Sequence, residues 1–171
     1  NKQTAPVTTQ QKTSNKIYKH ASGLYTISHP SNWIISETRE GVVFSDLGKI
    51  EPSFDQADKL KEMFNVSLQA ALRRVVEISH WRTALVVTKD GAYVWSARSS
   101  GFEDYILPRP HSDTMAALMT RTDGPNEDSI YVPASAWVTG QLVSEGVEIF
   151  ECARQMGEGY VYSLLTVVEH A

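Results

Sequence analysis

Residues 23–47 constrain the fold more tightly than any other stretch of the chain. They run as a short alternating segment, a proline stop, a second segment opening on Trp33, a turn and a third segment. Residues 25–29 alternate weakly and end at Pro30, which has no N–H to give a central strand. Residues 33–37 and 42–45 flank Thr38, Arg39, Glu40 and Gly41, and Gly41 is free to take a positive φ. That spacing predicts a hairpin.

The pattern then changes period. Ser53 and Gln56 have the spacing of a capping box, so a helix should open after Pro52. Ala57, Leu60, Phe64, Leu68, Ala71, Leu72 and Val75 recur every three or four residues and define one apolar face. Residues 65–67 interrupt the pattern, leaving either one bent helix or two. Residues 83–98 form the clearest hairpin, because Asp90-Gly91 suits a two-residue turn with positive φ at both positions. Ser112 or Asp113 is placed to cap a short helix over 115–119. Residues 129–132 and 137–139 surround Pro133 and suggest an edge strand with a break. The last strands are expected at 147–154 and 160–168, joined by a turn over 155–159. Strands outnumber helices and come in hairpins. The expected fold is α+β, a mostly antiparallel sheet flanked by one long and one short helix.

A chain of 171 residues is long enough for one domain with a real core. Residues 1–16 hold only Ala5 and Val7 as apolar side chains, too few to offset their ordering entropy. They are expected to be a disordered tether ahead of a single globular domain over 17–171. Such a tether suits a processed, periplasmic or otherwise extracytoplasmic protein, with a possible lipid anchor upstream. No run reaches the roughly 18 apolar residues of a membrane-spanning helix. The net charge of −4 gives no basic surface for nucleic acid.

The segment Gly23-Leu-Tyr-Thr-Ile-Ser-His-Pro-Ser-Asn-Trp33, followed by Gly41-Val-Val-Phe-Ser45, resembles the opening of PsbP-like domains. That superfamily includes the photosystem PsbP proteins, the Ran-binding Mog proteins and DcrB-type bacterial lipoproteins. The resemblance covers about 25 residues and implies a binding or assembly domain without a catalytic centre. It carries no universal site residues, and for Trp33 it implies a packing role. The rest of the chain departs from the family: it ends on a strand pair, and its first helix follows the third strand early.

The chain has no nucleophile elbow, zinc-protease helix motif or P-loop. Cys152, the only cysteine, lies within an expected strand and reads as a small buried hydrophobe. His20, His29, His80, His111 and His170 show no paired helical spacing for a metal. Asp123, Glu127 and Asp128 could supply oxygens to calcium, but a solvated turn explains them as well. No metal or cofactor is expected. Residues 99–113 form a long irregular stretch, and such loops often carry function. Within it Phe102, Glu103, Asp104, Tyr105, Arg109 and His111 combine aromatics with both signs of charge, the chemistry of protein contacts. Against that, Phe102 and Tyr105 could fold back over the sheet edge.

The first expectation is therefore a non-catalytic protein-binding domain of a bacterial cell-envelope protein. A periplasmic immunity protein occluding a secreted toxin is the second. A cryptic hydrolase using Ser99 or Ser100 with His111 and Asp113 is the third.

Overall fold

The computed structural model describes residues 15–19, 26–30, 33–38, 41–46, 49, 51–120 and 126–168. The chain forms two compact units, residues 1–47 and 48–171. In the first, β1 (Asn15–Lys19) pairs antiparallel with β2 (Thr26–Pro30). β3 (Trp33–Thr38) pairs with β4 (Gly41–Asp46), Thr38 standing opposite Gly41. The hairpin expected from residues 33–45 is thus present. β1 has only Ile17 and Tyr18 as apolar residues, too few to announce a strand. Asn15 and Lys16, expected in the tether, belong to it and face Pro30 and His29. Residues 1–14 and the side chain of Trp33 lie outside the described residues.

The second unit opens with α1 (Phe54–Phe64) and α2 (Leu68–Ile78). Ser53 caps α1 as its spacing predicts, accepting the Gln56 N–H at 3.2 Å. The interruption at 65–67 resolves into two helices. Asn65 takes the left-handed conformation (φ 50°, ψ 48°), which asparagine tolerates better than most residues. Ser67 then starts a new helix by accepting the Ala70 N–H at 3.1 Å. Ala57, Leu60, Ala71, Leu72 and Val75 are buried, and Val76 joins them. Phe64, on the last turn before the break, is instead exposed.

The rest of the unit follows in order. β5 (Thr83–Lys89) and β6 (Ala92–Arg98) are joined at Asp90 (φ 50°) and Gly91 (φ 72°), both left-handed as the turn requires. Then come β7 (Tyr105–Ile106), α3 (Met115–Met119), β8 (Glu127–Pro133), β9 (Val138–Thr139), α4 (Gln141–Glu145), β10 (Glu148–Gly157) and β11 (Tyr160–Val167). The five-stranded sheet runs β6-β5-β11-β10-β8, every neighbour antiparallel. The fold is α+β. Among the described residues four α-helices replace the expected long and short pair, and none is long and apolar enough to cross a membrane.

One rung crosses the whole sheet. Glu127, Arg154, Tyr162, Val87 and Trp95 stand opposite one another on successive strands and so share a face. α1 and α2 lie over this face. Arg154 reaches Asp58 of α1 at 2.7 Å and Glu127 at 2.6 Å, and its guanidinium lies 4.5 Å from the Phe54 ring centroid. Tyr162 donates its hydroxyl to Gln69 of α2 at 2.9 Å. On the other face α3 packs with Ala84, Val86, Ile149, Ala153, Val161, Leu165 and the fully buried Trp137.

β8 is an edge strand, as expected for 129–132, but the second half of the expected broken strand leaves this sheet, Val138 and Thr139 pairing with β7 instead. Asn126 and Ala134, which flank β8, hydrogen bond toward the strand β10 side, so its odd-numbered residues face outward. Pro133 has no N–H to offer there. The Ser129 N–H is taken by the Asp128 carboxylate at 2.8 Å. Both features blunt the edge against pairing with another chain.

Candidate functional site

The stretch 99–113 does not stay irregular. Tyr105 pairs with Thr139 and Ile106 with Val138, so two dipeptide strands tie this segment to the connection after β8. Phe102, immediately upstream, is 2% exposed and sits in the core. Asp104 is also buried, and both its carboxylate oxygens face the Leu142 N–H, at 3.3 and 3.4 Å. That carboxylate caps the first turn of α4, whose preceding residue is a glycine. The Asp104 carbonyl accepts from the Arg98 guanidinium at 2.9 Å. Gly140 holds φ 134°, and a Cβ there would collide with the Asp104 carboxylate. The backbone on both sides of Tyr105 is therefore fixed.

Tyr105 itself is 79% exposed. It borders an open groove of about 410 Å³ also lined by Arg82, Gly101, Glu103, Asp104, Thr139, Gly140 and Gln141. Arg82 lies 3.5 Å from Glu145 of α4. The site thus offers an exposed phenol, a guanidinium, an exposed carboxylate and a carboxamide around a rigid floor. Such a set can receive an apolar side chain and orient a partner by charge.

Of the six residues singled out in the sequence, the structure gathers Glu103, Asp104 and Tyr105 at this groove. Phe102 packs in the core and Asp104 serves as a cap, so neither presents a contact surface. Arg109 and His111 are exposed but do not line the groove. The fold-back considered for both aromatics occurs for Phe102 and not for Tyr105. Arg82, Thr139 and Gln141 were not foreseen. Arg82 comes from the bend before β5, Thr139 from the two-residue β9 and Gln141 from the first position of the five-residue α4, none long enough to carry a periodic signature.

The other candidate chemistry is placed as follows. Ser99 is 4% exposed, and its Oγ accepts the Thr83 N–H at 3.0 Å while its own N–H donates to the Thr83 carbonyl. His111 and Asp113 are exposed, with Nδ1 3.9 Å from Oδ1, and no hydrogen bond among the described residues joins His111 to Ser99 or Ser100. Asp123 lies outside the described residues, and Glu127 is held by Arg154. Cys152 is half-buried rather than fully buried. Burial first, and then the Glu127 carboxylate, push its thiol up to about 11, so it carries a proton at neutral pH. The cap expected from Ser112 or Asp113 is made instead by Thr114, whose Oγ1 accepts the Ala117 N–H at 3.3 Å.

One buried carboxylate had no signal in the sequence. Glu151 is fully buried on β10 beneath α3. It accepts from the Met115 N–H (2.9 Å), the Ala116 N–H (2.8 Å), the Trp137 indole (2.9 Å) and the Ser163 hydroxyl (3.1 Å). Burial pushes its pKa up, against the opposing pull of these four hydrogen bonds. All its acceptor positions are used inside the fold, so its role is to join elements. No family model and no curated protein matches the chain.

Proposed function

We propose that this chain is a non-catalytic protein-binding domain whose contact surface is the groove at Tyr105. The exposure of Tyr105 on a backbone fixed from both sides is the observation that carries it. An aromatic side chain with two torsions, presented by rigid backbone, loses little freedom on docking and brings a large apolar area. Arg82 and Glu103 beside it supply opposite charges that would set a partner's orientation. The lining holds no histidine or cysteine, and no hydrogen bond among the described residues joins the Thr139 or Tyr105 hydroxyl to a base, which favours binding over hydrolysis.

Affinity capture from the native source tests this with three baits: the wild-type chain, Tyr105→Ala and Arg82→Glu. The expected result is a discrete partner retained by the wild type and depleted from both variants, with circular dichroism unchanged. Equal retention by all three baits would refute the assignment of this groove.

A further inference from the structure

We propose that Glu151 is a proton-holding latch, a buried carboxyl group that takes up a proton without releasing α3. The chemistry of its partners carries this. Oε1 accepts from the Ala116 N–H at 2.8 Å and from the Ser163 hydroxyl at 3.1 Å. Oε2 accepts from the Met115 N–H and the Trp137 indole N–H, both at 2.9 Å. The N–H partners can only donate, whereas the Ser163 hydroxyl can donate or accept. A proton arriving from solvent therefore has one partner that can receive it. It binds Oε1 and is donated to Ser163 Oγ, while the serine keeps its own proton and turns it away from the carboxyl. Oε1 still has a lone pair for the Ala116 N–H, and Oε2 keeps both of its donors. The first turn of α3 and the indole are held in either protonation state.

The arrangement suits a carboxylic acid better than an amide. A glutamine here would set its NH₂, itself a donor, against the Ala116 N–H in one orientation. In the other it would oppose the Met115 and Trp137 N–H groups. Burial gives the proton a reason to bind, because it penalises the charged form. The surroundings hold few other charges. α3 and β9 carry no titratable side chain, and Tyr160 and Tyr162 of β11 alternate onto the face opposite to Ser163. Ile130 of β8 stands opposite Glu151, so Asp128 shares that face, but it is exposed. His111 and Asp113, ahead of α3, are exposed as well. The latch also reaches the segment that carries Tyr105, since the Trp137 carbonyl accepts the Leu107 N–H at 2.8 Å. A carboxyl that keeps its grip on Trp137 after taking up a proton keeps this segment in place too.

The test is a pH titration of the full ¹³C,¹⁵N-labelled chain, followed at the Glu151 carboxyl carbon. Amide hydrogen exchange at Met115 and Ala116 is measured on both sides of the midpoint. The wild type should titrate above 4.5. Protection of both amides, corrected for the intrinsic effect of pH, should change by less than about threefold on proton uptake. Ser163→Ala should move the midpoint down by about 0.5 pH units or more, because it removes the acceptor that the acid form uses. A serine that only donates to the ionised carboxylate gives the opposite sign, so a midpoint that rises or stays put in Ser163→Ala would overturn the inference. In Glu151→Gln, exchange at Met115 or Ala116 should quicken about tenfold or more. Unchanged protection there would contradict the need for an acid. The wild-type measurement depends on no variant: loss of protection at either amide as Glu151 takes up its proton would overturn the inference by itself.

Discussion

Glu151 shows how one side chain can hold three parts of a fold together. Its carboxylate bonds the first turn of α3, the indole of Trp137 and the hydroxyl of Ser163 from within the sheet. Removing it leaves two backbone donors and an indole N–H buried without a partner. Glu151→Ala should therefore cost about 3 kcal/mol or more in urea melts, and a loss below about 1 kcal/mol would contradict this role. The charge has a pH signature. Burial raises the folded pKa above the unfolded value of 4.5, so folding favours the protonated form. The resulting stability is fully present below 4.5 and is lost as pH rises through the raised folded value. The stability of the wild type relative to Glu151→Gln should therefore fall as pH rises across that window, and a relative rise would reverse the assignment. Nothing in the sequence marks this residue. A glutamate in a strand gives no hint of which face it will occupy or of the donors that three other elements bring to it. Tyr105 is the opposite case, since its exposed position in a mixed loop was partly legible.

Elements were legible where their ends carry local chemistry. Ser53 and the Asp90-Gly91 turn are short-range devices, and both stand where their spacing places them. The break between α1 and α2 was visible as a lapse in period, although only the left-handed Asn65 decides between a bend and two helices. β7 and α4 were not legible, and β9 was read as extended chain but given the wrong partner, since it pairs with β7. Two-residue strands have no period, and α4 takes its cap from Asp104, distant in sequence, rather than from its own preceding residue. That cap makes a prediction about the site. Gly140→Ala adds a Cβ that collides with the Asp104 carboxylate and occupies a backbone region unfavourable for alanine. It should lower stability by about 1–3 kcal/mol and broaden the amide resonances of Tyr105 and Leu142 together. Sharp, unshifted resonances at both positions would show that Asp104 does not position this loop.

On the scale of the molecule, residues 48–171 contain the five-stranded sheet, the four α-helices found among the described residues and the groove at Tyr105. This fragment should fold alone, with a cooperative thermal transition and the near-ultraviolet signal of buried Trp137. A broad, non-cooperative melt would show that residues 1–47 are required. The blunted outer edge of β8 disfavours strand addition there. The groove at Tyr105 carries the most exposed aromatic side chain among the described residues, at 79%. The direct test is the dissociation constant of the captured partner for wild type and Tyr105→Ala, measured by calorimetry beside their urea melts. A rise of about fivefold or more, roughly 1 kcal/mol, with stability changed by less than about 0.5 kcal/mol, is the predicted result. An unchanged dissociation constant would contradict the account.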